Sequence, residues 1–171
     1  MPTRRRPRKP SLRFQWLVRL LTMVVLTAHP AATHYQIDTG NDVDLAGVWQ
    51  AETYVLLDGT EHPVVGKIFF TEDDWTVLFF VLDESEVPRR GSGEGGTFTL
   101  TGDQLVLTHR YHLSAGEAMP GLAASELRMV ARGPDTSAPE EPCQVIRTGD
   151  RLQLNFPSGN AMTFNRPTEV R

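Results

Sequence analysis

The segment Thr108-His109-Arg110-Tyr111-His112 gathers two imidazoles, a phenol and a guanidinium within five residues. In an extended chain, side-chain alternation sends His109 and Tyr111 to one face and Arg110 and His112 to the other. Because His109 and Tyr111 continue the parity of Leu105 and Leu107, they are expected inside. There they read either as polar handles in an apolar cavity or as a buried imidazole and phenol bonded to nearby backbone. Arg110 and His112 are expected in solvent. An inward His109 also has the chemistry of a general acid or base. A metal site would need His109 or His112 joined by His62 or an acid. Two histidines three apart on a strand diverge, so no metal is expected.

Met129 and Phe79 complete the candidate lining. Met129 alternates with Leu127 and Ala131 on one face of Glu126 to Arg132, where an unbranched thioether makes an adaptable wall or ordinary core. Phe79 belongs to the run Trp75 to Leu82, which is apolar on both faces. Such a run must be covered twice or meet a neighbouring chain, which makes it the candidate surface for an oligomer. Other chemistries lack their residues. There is no Gly-x-Ser-x-Gly elbow, phosphate-cradling glycine loop, Cys-x-x-Cys or His-Glu-x-x-His, so no enzyme class and no cofactor is indicated, haem included. The acids Asp73, Asp74, Asp83, Glu84 and Glu86 sit at two ends of one run, too far apart to act as a catalytic pair.

Charge divides the chain. Arg4, Arg5, Arg6, Arg8, Lys9, Arg13 and Arg19 supply seven of the 17 basic residues, whereas all 21 acids follow Ile37. The acidic remainder is a poor nucleic-acid binder, since phosphate contacts need clustered cations. The basic start precedes the apolar run Phe14 to Ala28 and the small residues Ala31 and Ala32, which is the grammar of a signal peptide. A spanning helix needs about 20 apolar residues, and Arg19 interrupts this shorter run. Residues 1–32 therefore read as an export leader or, uncleaved, as an N-terminal anchor. Export would be to the periplasm or beyond the cell, and any membrane contact would run through that segment. The single cysteine, Cys143, excludes an intrachain disulfide and reads as a small apolar strand residue.

These groups must be positioned by strands. Residues 33–44 have no apolar period and read as a flexible lead-in. Beyond them come short β-type runs: Gly47 to Leu57, Val64 to Thr71, Trp75 to Leu82 and Thr97 to Thr101, with Val87 to Gly96 expected as a Gly-rich loop. Thr101-Gly102-Asp103-Gln104-Leu105-Val106-Leu107 is echoed by Thr148-Gly149-Asp150-Arg151-Leu152-Gln153-Leu154. In each, Gly-Asp joins two alternating runs, the chemistry of a hairpin turn. Ser114 to Ala124 reads as a loop or a single helical turn and Gly133 to Pro142 as a long polar excursion; such segments surround a mouth or a partner site, or are disordered. The class is all-β: about eight to ten strands in an antiparallel up-and-down meander, closed into a barrel to avoid exposed edges.

Gly47-Val48-Trp49 at the start of the β-region resembles the Gly-x-Trp opening of lipocalins and of the broad lipocalin-like domain family of bacteria. Arg166, after the last apolar strand, stands where that superfamily commonly keeps an arginine over the opening tryptophan. The likeness spans residues 45–167 and leaves 168–171 as a tail. It implies a barrel that binds a small apolar or amphipathic molecule, with Gly47, Trp49 and Arg166 as structural residues. An envelope assembly protein with a filled core, and an enzyme acting through His109, are the other functions considered.

Overall fold

The computed structural model describes residues 43–168. The leader, most of the lead-in and the last three residues of the tail lie outside them. The described residues are all-β, with no helix. Ten strands run in chain order: β1 Gly47–Val55, β2 Glu61–Phe70, β3 Asp74–Leu82, β4 Pro88–Thr101, β5 Gln104–Thr108, β6 Tyr111–Gly116, β7 Ser125–Ala131, β8 Glu140–Thr148, β9 Arg151–Asn155 and β10 Ala161–Asn165.

Every pairing is antiparallel. Strand order is β3-β2-β1-β10-β9-β8-β5-β4-β6-β7, and β3 also pairs with β4. That second pairing, from Asp74 opposite Thr97 to Leu82 opposite Pro88, closes eight strands into a ring, with β6 and β7 outside it. The meander expected from the sequence is thus interrupted once. β5 covers only Phe98–Thr101 of the long β4, and β6 takes up the same edge from Arg90 to Gly95. An uncovered edge would leave backbone donors and acceptors without partners, which explains why a second strand completes it.

The echoed Thr-Gly-Asp segments form the β4–β5 and β8–β9 hairpins, with Thr101 opposite Gln104 and Thr148 opposite Arg151. Gly102 and Gly149 have φ of 60° and 59° while the following Asp does not go positive, the pattern of a type II′ turn.

The loop expected over Val87 to Gly96 is corrected, because most of it is β4. Its glycines provide space rather than flexibility. Gly91 and Gly93 face outward opposite Phe80 and Leu78. A Cβ on Gly91 would come within 3.0 Å of the Phe80 ring, and one on Gly96 would collide with the Thr108 carbonyl. The strand therefore survives a composition that ordinarily marks a turn.

Inward alternation fills the interior with Trp49, Ile68, Phe70, Trp75, Leu105, Leu107, Val145, Leu152, Leu154, Met162 and Phe164. Cys143 is buried among them; burial, reinforced by the Glu141 charge, pushes its thiol up to about 12. The face of β2 and β3 turned away from this core leaves Val65, Phe69, Leu78 and Phe80 exposed.

Candidate binding site in the barrel

The two ends of the ring are built differently. At one end Trp49 is fully buried, and its indole N–H donates to the Leu45 carbonyl at 2.8 Å. The Arg166 guanidinium stacks 3.7 Å from the ring centroid and donates to Val48 O at 3.2 Å. Arg147 approaches the same ring at 5.4 Å. Gly47 is required twice over, since its φ is +96° and a Cβ would meet Arg166 Nη1 at 3.0 Å. Gly47, Trp49 and Arg166 thus form a plug.

At the other end the side chains do not fill the space. A cavity of about 160 Å³ lies between Tyr54, Phe79, Glu94, His109, Glu141 and Phe156, floored by core residues including Trp75 and Leu154. Each of its polar groups is set by a local feature. Tyr54 points inward because β1 carries a bulge between Ala51 and Thr53 against β10, where the register against β2 also shifts. The extra residue, Glu52, shifts parity by one, so Tyr54 faces the same side as Trp49 and Ala51. Glu94 lies on the inner face of β4, between the outward Gly93 and Gly95. Glu141 shares inward parity with Cys143 and Val145 on β8. His109 lies in the two-residue link between β5 and β6, held by its backbone N–H donating to Pro139 O at 2.9 Å.

The His109 ring is clasped from both sides. Nδ1 is 2.8 Å from Glu94 Oε2 and Nε2 is 3.3 Å from Glu141 Oε2, while the ring meets Trp75 edge-on at 5.1 Å. Hydrogen bonds to Glu141 and Glu94 raise its pKa to about 9 against the opposing effect of burial, so it is an imidazolium at neutral pH. For Glu94, burial acts to raise the carboxyl, but bonds from His109 and Ser92 outweigh it and hold the group below the usual range. Burial raises Tyr54, partly offset by its bond with Asn160. Trp75 Nε1, buried beside the cavity, has no hydrogen-bond partner among the described residues.

Of the four lining candidates, His109 and Phe79 border the cavity and two do not. Tyr111 is 57% exposed and Met129 71% exposed. The correction has one cause. Parity carried from Leu107 assumes an unbroken strand, but β5 stops at Thr108 and the chain re-enters the sheet at Tyr111 along a different stretch of β4. Tyr111 then pairs with outward Gly95 and Leu113, with Met129 beyond it, continues outward. The same break turns His112 inward, contrary to its expected solvent position. It bonds Ser114 Oγ at 2.8 Å and comes within 3.5 Å of Glu94. The two histidines therefore converge on one carboxylate instead of diverging. Even so, the described residues contain no grouping of three or more His, Cys, Asp or Glu side chains disposed to hold a metal ion.

Glu94, Glu141, Tyr54 and Trp75 were not among the sequence candidates. Glu141 was within reach, since an acid in register with Cys143 and Val145 must face the core. Glu94 was hidden by the Gly-rich composition around it, and Tyr54 by the bulge.

The chain matches no family model and no curated protein. Among solved structures it is similar to a lipocalin-like protein from Bacteroides uniformis, with 17% identity and a TM-score of 0.44 over 72% of this chain and 99% of that one. The resemblance read from Gly47, Trp49 and Arg166 is one of fold, and it rests on the ring of eight strands and its plugged end.

Proposed function

We propose that the barrel is a binding module for a small apolar or amphipathic molecule, its apolar part seated in the cavity against Trp75, Phe79 and Phe156. The observation that carries this reading is an open cavity of about 160 Å³ with apolar walls around Trp75, Phe79, Leu154 and Phe156 and with Glu94, His109 and Glu141 among its polar groups. Size limits the ligand. Pockets for drug-sized molecules run to about 300–1,000 Å³, whereas an apolar cavity near 150 Å³ accommodates a benzene-sized guest. The cavity therefore suits a single ring or a short chain.

Catalysis by His109 is the weaker alternative. Both ring nitrogens are engaged by carboxylates and its proton is held to about pH 9, which leaves no free base at neutral pH. The assembly reading draws support from the exposed outer residues of β2 and β3. Light scattering separates it: a monomer across the micromolar range removes it. Export of the barrel, after cleavage near Ala32 or tethered by residues 1–32, remains part of the proposal, and N-terminal sequencing of the secreted material tests it.

Native mass spectrometry of the purified protein, with solvent extraction, is the test of binding. A co-purifying species of ring or short-chain size is expected, and Val77→Phe, which fills the cavity, should abolish it. Retention of the same species by that variant would overturn the assignment.

A further inference from the structure

A second chamber of about 180 Å³ adjoins the first, and its polar character is opposite. It exists because β6 continues the wall of β4 past the end of β5, so the inner faces of β4 and β6 extend the open end of the ring opposite Tyr54, Phe79 and Val81. Tyr54 and Phe79, with ring centroids 6.5 Å apart, border both chambers, which adjoin at these two rings. The first chamber has two carboxylates on its wall. Among the described residues lining the second, none is acidic; Arg90, His112, Ser92, Ser114 and Ser125 supply its polar groups.

Arg90 is the unusual member. Its side chain lies over Gly116, where a Cβ would come within 2.6 Å of its Cγ and 2.8 Å of its Cζ, so the glycine makes room for the guanidinium. Nη1 donates to the carbonyls of Glu117 at 2.7 Å and Ala123 at 2.6 Å, and Nη2 to Ser125 Oγ at 3.3 Å. All three partners are neutral. Among the described residues no carboxylate pairs with Arg90, although the adjacent Arg89 pairs with both Asp83 and Glu117. The contacts fix the guanidinium in place while leaving Nε–H and part of Nη2 unengaged. A partly buried, immobilised cation in a hydroxyl-rich and acid-free recess of an otherwise acidic chain is a site for an anion. Glu94, which stands 3.5 Å from His112 at the edge of this chamber, is taken up by His109 and Ser92.

We propose that this side chamber binds the carboxylate of an amphipathic acid, with Arg90 as the anchor, the Ser125 hydroxyl, which accepts from Arg90 and keeps its own proton to give, as a further donor, and the apolar chain lying against Val81, Phe79 and Tyr54 toward the barrel. The proposal deepens the binding reading above by naming the class of ligand. An aliphatic acid of short to medium length fits the two adjoining volumes.

Calorimetric titration of the full-length protein with octanoate, octan-1-ol and acetate tests it. Octanoate should bind about tenfold or more tightly than octan-1-ol, the difference expected of one charge-assisted contact. Acetate should bind far more weakly than either. Arg90→Met should lower octanoate affinity about tenfold and leave octan-1-ol unchanged. Because Arg90 also ties β4 to the segment after β6, Ser114→Asp provides a second variant that keeps those ties. It should likewise discriminate against octanoate alone. Equal affinity for the acid and the alcohol, or an acid preference that survives both variants, would overturn the carboxylate site and leave the barrel reading intact. Acetate binding as tightly as octanoate would overturn it in favour of a free-anion site. Failure of both eight-carbon probes to bind would remove the two readings together.

Discussion

Both ends of the barrel place charged groups beside a buried tryptophan, yet one end is sealed and the other open. Around Trp49 the charges are guanidiniums whose apolar planes stack on the ring and whose N–H groups reach backbone carbonyls. Around Trp75 the charge is an imidazolium set edge-on to the ring and held by carboxylates from two strands. Stacking lets a cation fill volume as packing does, because the flat guanidinium covers the aromatic face. A carboxylate clasp fixes directions instead, and three planar groups arranged around shared hydrogen bonds do not tile a cavity. The contrast teaches that, in this barrel, the kind of partner given to a charge decides whether its surroundings become core or container.

Variants that remove one side of the comparison give the largest effects. Trp49→Ala should cost about 3–5 kcal/mol in urea unfolding, since it deletes the plug and strands two guanidiniums above a hole. A loss under 1 kcal/mol would mean that this end is not sealed by the ring.

His109 supplies the next effect, on the order of 2–3 kcal/mol, and it depends on pH. Its folded pKa of about 9 lies above the ordinary value of 6.5. The contribution is therefore fully present below pH 6.5 and disappears as pH rises through 9. Wild-type stability should fall over that interval relative to His109→Ala, and parallel profiles for the two proteins would show that the clasp does not hold. Glu94, depressed in the fold, acts in the opposite sense: its contribution is lost only as acid protonates it below the usual carboxylate range.

Arg166→Met should cost less, about 1–2 kcal/mol, because the thioether keeps part of the stacking while the cation and its bond to Val48 O are lost. A cost equal to that of Trp49→Ala would shift the importance of the plug from the ring to the charge.

Cys143 calibrates the boundary between the two halves, two residues along β8 from Glu141. With its thiol buried and pushed up to about 12, it should resist iodoacetamide at pH 8 until the protein is denatured. Modification of the native protein, followed by intact-mass measurement, would mean that the open half extends deeper than its walls indicate.

The ring itself was legible because its signals are local and repeated. Alternation through Leu105, Leu107, Leu152 and Leu154, together with two Gly-Asp turns, specifies hairpins without knowledge of the rest. The plug was legible through a resemblance: Gly47, Trp49 and Arg166 stand where lipocalin-like chains keep their opening Gly-x-Trp and closing arginine, and the pairing of β1 with β10 brings them together. The cavity was harder to read because three departures from regularity create it. The Glu52 bulge reverses parity for Tyr54, glycines conceal the strand that carries Glu94, and the break at His109-Arg110 reverses the parity that had placed Tyr111 and Met129 inside. Each is a local event of one or a few residues that alternation alone does not reveal, and the bulge and the break reset the facing of the side chains that follow.

The annexed hairpin has a kinetic consequence. β6 meets the ring only along Arg90–Gly95, and β7 adds an outer edge with no further strand beyond it among the described residues. Such a flap can swing away by releasing one short ladder while the eight-membered circle stays zipped, so its amides should exchange with deuterium well before those of β9 and β10. A guest lodged behind it would then enter and leave at the breathing rate of the flap, and occupancy would register first as slowed exchange at His112 and Ser114.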